Sequence, residues 1–158
     1  EEVVAAYSGG ILIEVGTYVG KSLCCLGELV KKSGKPFHVV GVDTCLGSGV
    51  ENGRDNHIEA VQEGHGTFAG TLHRNVIDCG LQDFITLIVA DSLQVSKLFA
   101  DNSVTMCFLD AAHDYESVKA DINYWLPKVK VGGLLCGDDI GIPDEINPVW
   151  PDIKRAVS

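Results

Sequence analysis

The stretch "EVGTYVGKS", residues 14–22, follows the apolar run "ILI" and leads into an apolar stretch with helical spacing. A strand, a glycine turn and a helix in that order open many nucleotide-binding domains. Here an acid, Glu14, stands two residues before the first glycine, and its charge restricts which nucleotide the turn can receive.

Outward from this turn, apolar runs without alternation recur at 10–15, 37–43, 84–91, 104–110 and 132–139. Continuous apolarity is the pattern of strands covered on both faces. Helical spacing links them. Residues 19–32 carry Leu23, Leu26, Leu29 and Val30, and residues 67–79 carry Phe68, Leu72, Val76 and Cys79, with Gly80 placed as a left-handed cap. Val95, Leu98 and Phe99 mark a short helix opened by Asp91 or Ser92. Val118, Ile122, Trp125, Leu126 and Val129 mark a longer one that Lys130 to Gly133 should stop, with Trp125 in the core. Five strands alternating with helices imply a Rossmann-like α/β three-layer sandwich with a mainly parallel sheet and right-handed crossovers, in the order 3-2-1-4-5. Residues 1–158 read as one domain, and the polar, glycine-rich segment 44–66 reads as a mobile loop over the site.

An apolar fraction of 46% and a charged fraction of 22% are those of an ordinary globular protein. Twelve basic residues against 22 acidic ones give a net charge of −10, which repels a phosphate backbone, so nucleic acid is not an expected partner. No apolar run reaches the roughly 18 residues that span a bilayer, and no charged-then-apolar leader opens the chain. A soluble, cytoplasmic protein is expected. Cys24, Cys25, Cys45, Cys79, Cys107 and Cys136 have no metal-ligand spacing and read as free thiols.

Ligands of open parallel sheets bind beyond the carboxyl ends of the strands. Each predicted strand ends at an acid there: Glu14, Asp43, Asp91, Asp110, and the pair Asp138 and Asp139. Such a rim costs energy unless cations sit in it. A pyrophosphate over the glycine turn conflicts with Glu14, and the spacing is GxxxG rather than GxGxxG. S-adenosylmethionine carries an adenosine, an ammonium and a sulfonium, with no phosphate, and meets no such conflict. Gly16 and Gly20, with Thr17 and Ser22 beside them, are then expected at its methionine part. Asp43 and Thr44 are expected at the ribose, and Asp91 and Ser92 at the adenine, where Ser92 also fits a plain helix cap.

The stretches "IEVGTYVGKS", "VVGVDT", "FITLIVADS", "FLDAAHDYESVKADINYWLPKVKVGGLLCGDD" and "IKRAV", spread over residues 11–157, resemble class I S-adenosylmethionine-dependent methyltransferases, in particular small-molecule O-methyltransferases. The resemblance extends to the metal-assisted branch with catechol, caffeoyl-CoA and macrolide-sugar enzymes. It implies methyl transfer to a hydroxyl of a small molecule, with Glu14 and Asp110 at the cofactor. A divalent metal, Mg²⁺ above all, is implied on Asp110, Asp138 and Asp139. Adjacent strands about 4.8 Å apart would bring those carboxylates together, and an all-oxygen set suits a hard cation. His113, three residues past Asp110, is the candidate general base; capping the next helix or supporting a metal ligand are the other readings. His38 is expected in the core, His73 in solvent, and His57 and His65 in the loop.

The resemblance implies seven strands, and the residues after Asp139 leave no room for the last two. The chain is therefore expected either to be a fragment or to leave its fifth strand as an edge that a partner covers, such as a second copy in a homodimer. A metal-free methyltransferase, a non-catalytic binding module and, least of all, an NAD-dependent dehydrogenase stay open as alternatives.

Overall fold

The computed structural model describes residues 1–48, 57–139 and 151–157. In chain order the elements are α1 (Glu2–Ala6), β1 (Gly10–Val15), α2 (Lys21–Ser33), β2 (Phe37–Asp43), α3 (Ile58–Glu63), α4 (Ala69–Asp78), β3 (Ile85–Val89), α5 (Ser92–Ser96), β4 (Val104–Leu109), α6 (Tyr115–Trp125), a 3₁₀ turn (Leu126–Lys128), β5 (Val129–Gly137) and α7 (Pro151–Val157). The strands form one parallel sheet in the order β3-β2-β1-β4-β5, as the alternating pattern implies.

The strand carrying Glu14 is central. Ile13 pairs with Val40 of β2 on one side and with Cys107 of β4 on the other. Leu12, Ile13 and Val15 are wholly buried, so their continuous apolarity reflects cover on both faces of the sheet. Leu12 faces the cluster built with Leu23 and Val30 of α2 and Leu72 and Val76 of α4. Ile13 and Val15 face the opposite cluster, with Val95 of α5 and Trp125 of α6. Trp125 packs against Phe99, ring centroids 5.7 Å apart, and each such fully buried large side chain contributes roughly 2–3 kcal/mol by area.

Three expectations need correction. The helix expected to run through Val129 ends at Trp125, because Pro127 has no N–H for a helical turn. Lys130 to Gly133, expected as its stop, belong to β5, where Val129 pairs with Val104. Within segment 44–66, residues 58–63 form α3, while residues 49–56, where a mobile loop was expected, lie outside the described residues. The short α1 carries no sequence signal of its own; Lys35 Nζ donates to the carbonyls of Val4, Ala5 and Tyr7 and so satisfies its C-terminal end.

The six cysteines are free thiols. His38, expected in the core, is only half-buried, its Nε2 at 2.8 Å from Thr86 Oγ1 across the β2–β3 pair; His73 is exposed, as expected. No helix among the described residues is long and apolar enough to cross a membrane. In the described sheet β5 is an edge, and Val131 on it is 94% exposed.

Candidate active site

The chain turns sharply after β1. Gly16 has φ 83°, and a Cβ there would lie 1.9 Å from the Asp110 carbonyl oxygen, so only glycine fits between β1 and the end of β4. Its N–H donates to Val42 O at 2.9 Å. The next two N–H groups, of Thr17 and Tyr18, donate to Asp43 Oδ2 at 2.8 and 2.9 Å, and Cys45 N–H donates to Asp43 Oδ1 at 2.7 Å. The anion-binding face of the turn is thus filled by the protein's own carboxylate. A pyrophosphate would have to displace it, which disfavours a dinucleotide more directly than the charge of Glu14 does. A carboxylate offers about four lone-pair sites, so Asp43 retains acceptor capacity toward a diol.

Gly20, expected beside the cofactor, serves packing instead. It has φ 89°, and Leu72 Cδ1 lies 2.7 Å from where its Cβ would be. Thr17 Oγ1 is buried with no hydrogen-bond partner among the described residues, and Thr17 lines the pocket, as does Gly16.

Glu14 lies beneath the turn, 1% exposed. Ser22 Oγ donates to its Oε1 at 2.6 Å. Burial pushes its pKa up to about 7 against that hydrogen bond, and the charges of Asp110 and Asp43 push the same way. It supports the pocket from below, whereas Ser22, Asp43 and Thr44 line it.

The pocket, about 780 Å³, runs along the carboxyl ends of β2, β1 and β4 and reaches the start of α5. At the α5 end Asp91 is the helix cap, its Oδ1 accepting from Gln94 N–H at 3.0 Å. Ser92 is therefore free of capping. Its hydroxyl donates to Asp121 Oδ1 at 2.5 Å and accepts from Trp125 Nε1–H at 2.8 Å. Asp121 is buried, with a pKa raised chiefly by that burial, and it was not anticipated. A signal was present: residue 121 falls on the apolar stripe of α6 between Val118 and Trp125, where a charge needs a reason. The wall formed by Tyr18, His57 and Phe68 was also missed as a unit. The Tyr18 ring meets His57 and Phe68 edge-on at 4.7 and 5.4 Å.

At the β4 end, Asp110, His113 and Asp139 bring one ligand atom each within 4.8 Å of one another. His113 Nε2 is 3.0 Å from Asp139 Oδ2. Asp110 is pushed up to about 6 by burial and then by the charges of Asp138 and Asp139, with His113 opposing. Of the three carboxylates expected to share an ion, Asp110 and Asp139 converge. Asp138 is not in the group: its Oδ1 accepts from Asp139 N–H at 2.8 Å and helps hold Asp139 at φ 58°. His113 takes the third place. Two carboxylates and an imidazole are a donor set less suited to Mg²⁺ than the all-oxygen set expected, and they fit Mn²⁺ or another first-row divalent ion better.

The sheet thus presents an acidic pocket at its carboxyl edge and a glycine turn whose N–H groups are already bonded to Asp43. Residues 13–140 match the family model of a methyltransferase domain, and the chain belongs to that family, one of S-adenosylmethionine-dependent methyltransferases. Solved structures share the fold at low identity. They include cofactor-bound Rv0187 from MTB (18% identity, TM-score 0.65, covering 99% of this chain and 62% of that one). Another is CalS11, a TDP-rhamnose 3′-O-methyltransferase of calicheamicin biosynthesis (20%, 0.59, 99% and 63%). A geranyl diphosphate methyltransferase in complex with GPP and sinefungin is also similar (16%, 0.53, 80% and 36%). The chain spans less than two thirds of the length of each of these relatives.

Proposed function

We propose that this chain forms the cofactor- and ion-holding part of an enzyme that moves a methyl group from S-adenosylmethionine to a hydroxyl of a small molecule, with a divalent cation held by Asp110, His113 and Asp139. The observation that carries this reading is the convergence of those three side chains on the wall of the same pocket that Gly16 and Ser92 line. S-adenosylmethionine supplies a methyl group on a sulfonium, and a divalent cation supplies a charge that lowers the pKa of a nearby hydroxyl.

The chain's own residues do the rest. Gly16 leaves room for the methionine part, Thr17 Oγ1 offers an unused hydrogen-bonding group, and Glu14, beneath the turn, holds Ser22 on the pocket wall. Asp43 offers its remaining lone pair, on Oδ1, to a ribose hydroxyl, beside Thr44. The acidic rim favours a cationic donor and a neutral or cationic acceptor. An acceptor with many phosphates, such as nucleic acid, is opposed by the charge of −10. The similarity to a sugar O-methyltransferase supports oxygen as the atom methylated.

A second reading dispenses with the ion. The 3.0 Å contact of His113 with Asp139 is also that of an imidazole oriented by a carboxylate, competent to take a hydroxyl proton unaided.

Transfer of labelled methyl to a panel of phenolic, sugar and polyketide hydroxyls, with Mg²⁺ or with EDTA, tests these readings. Transfer that EDTA abolishes and Mg²⁺ or Mn²⁺ restores is expected. Transfer indifferent to EDTA selects the second reading, and failure to bind S-adenosylmethionine removes both.

A further inference from the structure

We propose that Cys24 of α2 and Cys79 at the end of α4 form a dithiol site that hydrogen peroxide oxidises to a disulfide, stapling the two helices together beside the glycine turn. The inference is independent of the methyl-transfer reading and concerns side chains that the candidate active site leaves unused.

Helical spacing builds the site. Gly20, Cys24, Gly27 and Lys31 recur at intervals of three and four and so share one face of α2. That face meets α4 and the turn that follows it. A Cβ at Gly20 would lie 2.7 Å from Leu72 Cδ1 and 3.8 Å from Cys24 Sγ, and one at Gly27 would lie 3.2 Å from Leu81 Cδ1. Hydrogen bonds hold the two segments together on either side of Cys24: Asn75 Nδ2 donates to Val19 O at 2.8 Å, and Lys31 Nζ donates to Gly80 O at 3.2 Å. Cys79, the residue before Gly80, closes α4. Its exposed thiol is hydrogen-bonded to the half-buried thiol of Cys24. Cys25, also exposed, is turned about 100° around the helix from Cys24 and lies off the shared face.

The two thiols are unequal, and that sets the order of events. The Cys24 thiol is pushed up to about 11, first by burial and then by the charge and hydrogen bond of Cys79, with Cys25 and Glu14 adding to it. Cys24 therefore keeps its proton, and the exposed Cys79 sulfur is the one that peroxide reaches. Attack by that sulfur breaks the O–O bond, leaves a sulfenic acid on Cys79 and releases one water. The Cys24 sulfur then attacks the Cys79 sulfur; the S–S bond forms, the S–O bond breaks, and the hydroxyl leaves with the Cys24 proton as a second water. Two electrons pass from the sulfurs to the peroxide, and both thiol protons end in water. The long loop closed between 24 and 79 restricts the unfolded chain, so the bond stabilises the fold.

Oxidation of the reduced full chain with a small excess of hydrogen peroxide tests the proposal, followed by alkylation and tryptic mapping without reduction. A cross-link between peptides 22–31 and 75–97 is expected, retained in Cys25→Ser and lost in Cys79→Ser. Oxidised Cys25→Ser should melt roughly 5–15 °C above its reduced form and return to the lower value with dithiothreitol. Cys79→Ser, substituted at an exposed position, should show no such rise. Sulfonic acid on Cys79 without the cross-link, a cross-link through Cys25, or one joining two copies of the chain overturns the proposal. So does a cross-link between 24 and 79 that lowers the melting temperature, since the sulfurs would then not be placed for it.

Discussion

Replacing Glu14 by glutamine should stabilise the fold in alkaline buffer and leave it unchanged in acid. The folded pKa of Glu14 is about 7 against an ordinary 4.5. Between those values the folded state holds a proton that the unfolded state has released, so stability is greatest below about pH 4.5 and falls as pH rises through 7. At about 1.4 kcal/mol per pKa unit the loss is on the order of 3 kcal/mol, and with 1% exposure solvent screening does little to reduce it. The amide of the Glu14→Gln variant would keep an acceptor for Ser22 Oγ and has nothing to ionise. Urea denaturation of both proteins at pH 5 and pH 8 reads the effect; Asp110, raised to about 6 in the same window, is present in both, and removing the Glu14 charge that repels it adds to the variant's advantage at pH 8. Near-equal stability at pH 5 and an advantage of about 2–3 kcal/mol for the variant at pH 8 is expected, roughly 4–12 °C in Tm. An advantage equal at both pH values would refute the reasoning.

Gly16→Ala should destabilise by several kcal/mol, since its Cβ would collide with the Asp110 carbonyl and the backbone is left-handed; a melting temperature within a few degrees of the natural one would contradict the described turn. Asp139→Asn should weaken Mn²⁺ binding, followed by water-proton relaxation, by about tenfold or more while the melting temperature of the ion-free protein changes little. Asp114→Ala removes the cap of α6, whose Oδ1 accepts from Ser117 N–H at 3.0 Å, and should cost about 1 kcal/mol at pH 7. The pKa of Asp114 is lowered, chiefly by Ser117, so that contribution is present above the ordinary carboxylate range and disappears as pH falls through the folded value.

The sheet was legible because its central strands are covered on both faces and so read as unbroken apolar runs; Leu12 and Ile13 point to opposite layers and both are buried. The ends of elements were less legible. Pro127 stops α6 just after Trp125, but Val129 continues the helical spacing by coincidence and only its pairing with Val104 reveals a strand. The six-residue α3 is too short to show a period against the glycines around it. Among site residues, the strand-end acids were visible as a pattern, whereas their division of labour depends on backbone direction. Asp43 fills the glycine turn, Glu14 lies under it, and a left-handed Asp139 turns toward His113 while Asp138 holds it there. Gly20 looked like a cofactor glycine and is fixed by Leu72, a contact that arrives from α4, far along the chain.

A crystal structure of the full chain with S-adenosylhomocysteine and Mn²⁺, read by anomalous scattering, tests the central claim most directly. The account predicts the homocysteine part against Gly16, the base beside Ser92, and a manganese peak bonded to Asp110, His113 and Asp139. A nucleoside bound elsewhere, or a manganese peak away from those three side chains, would contradict it.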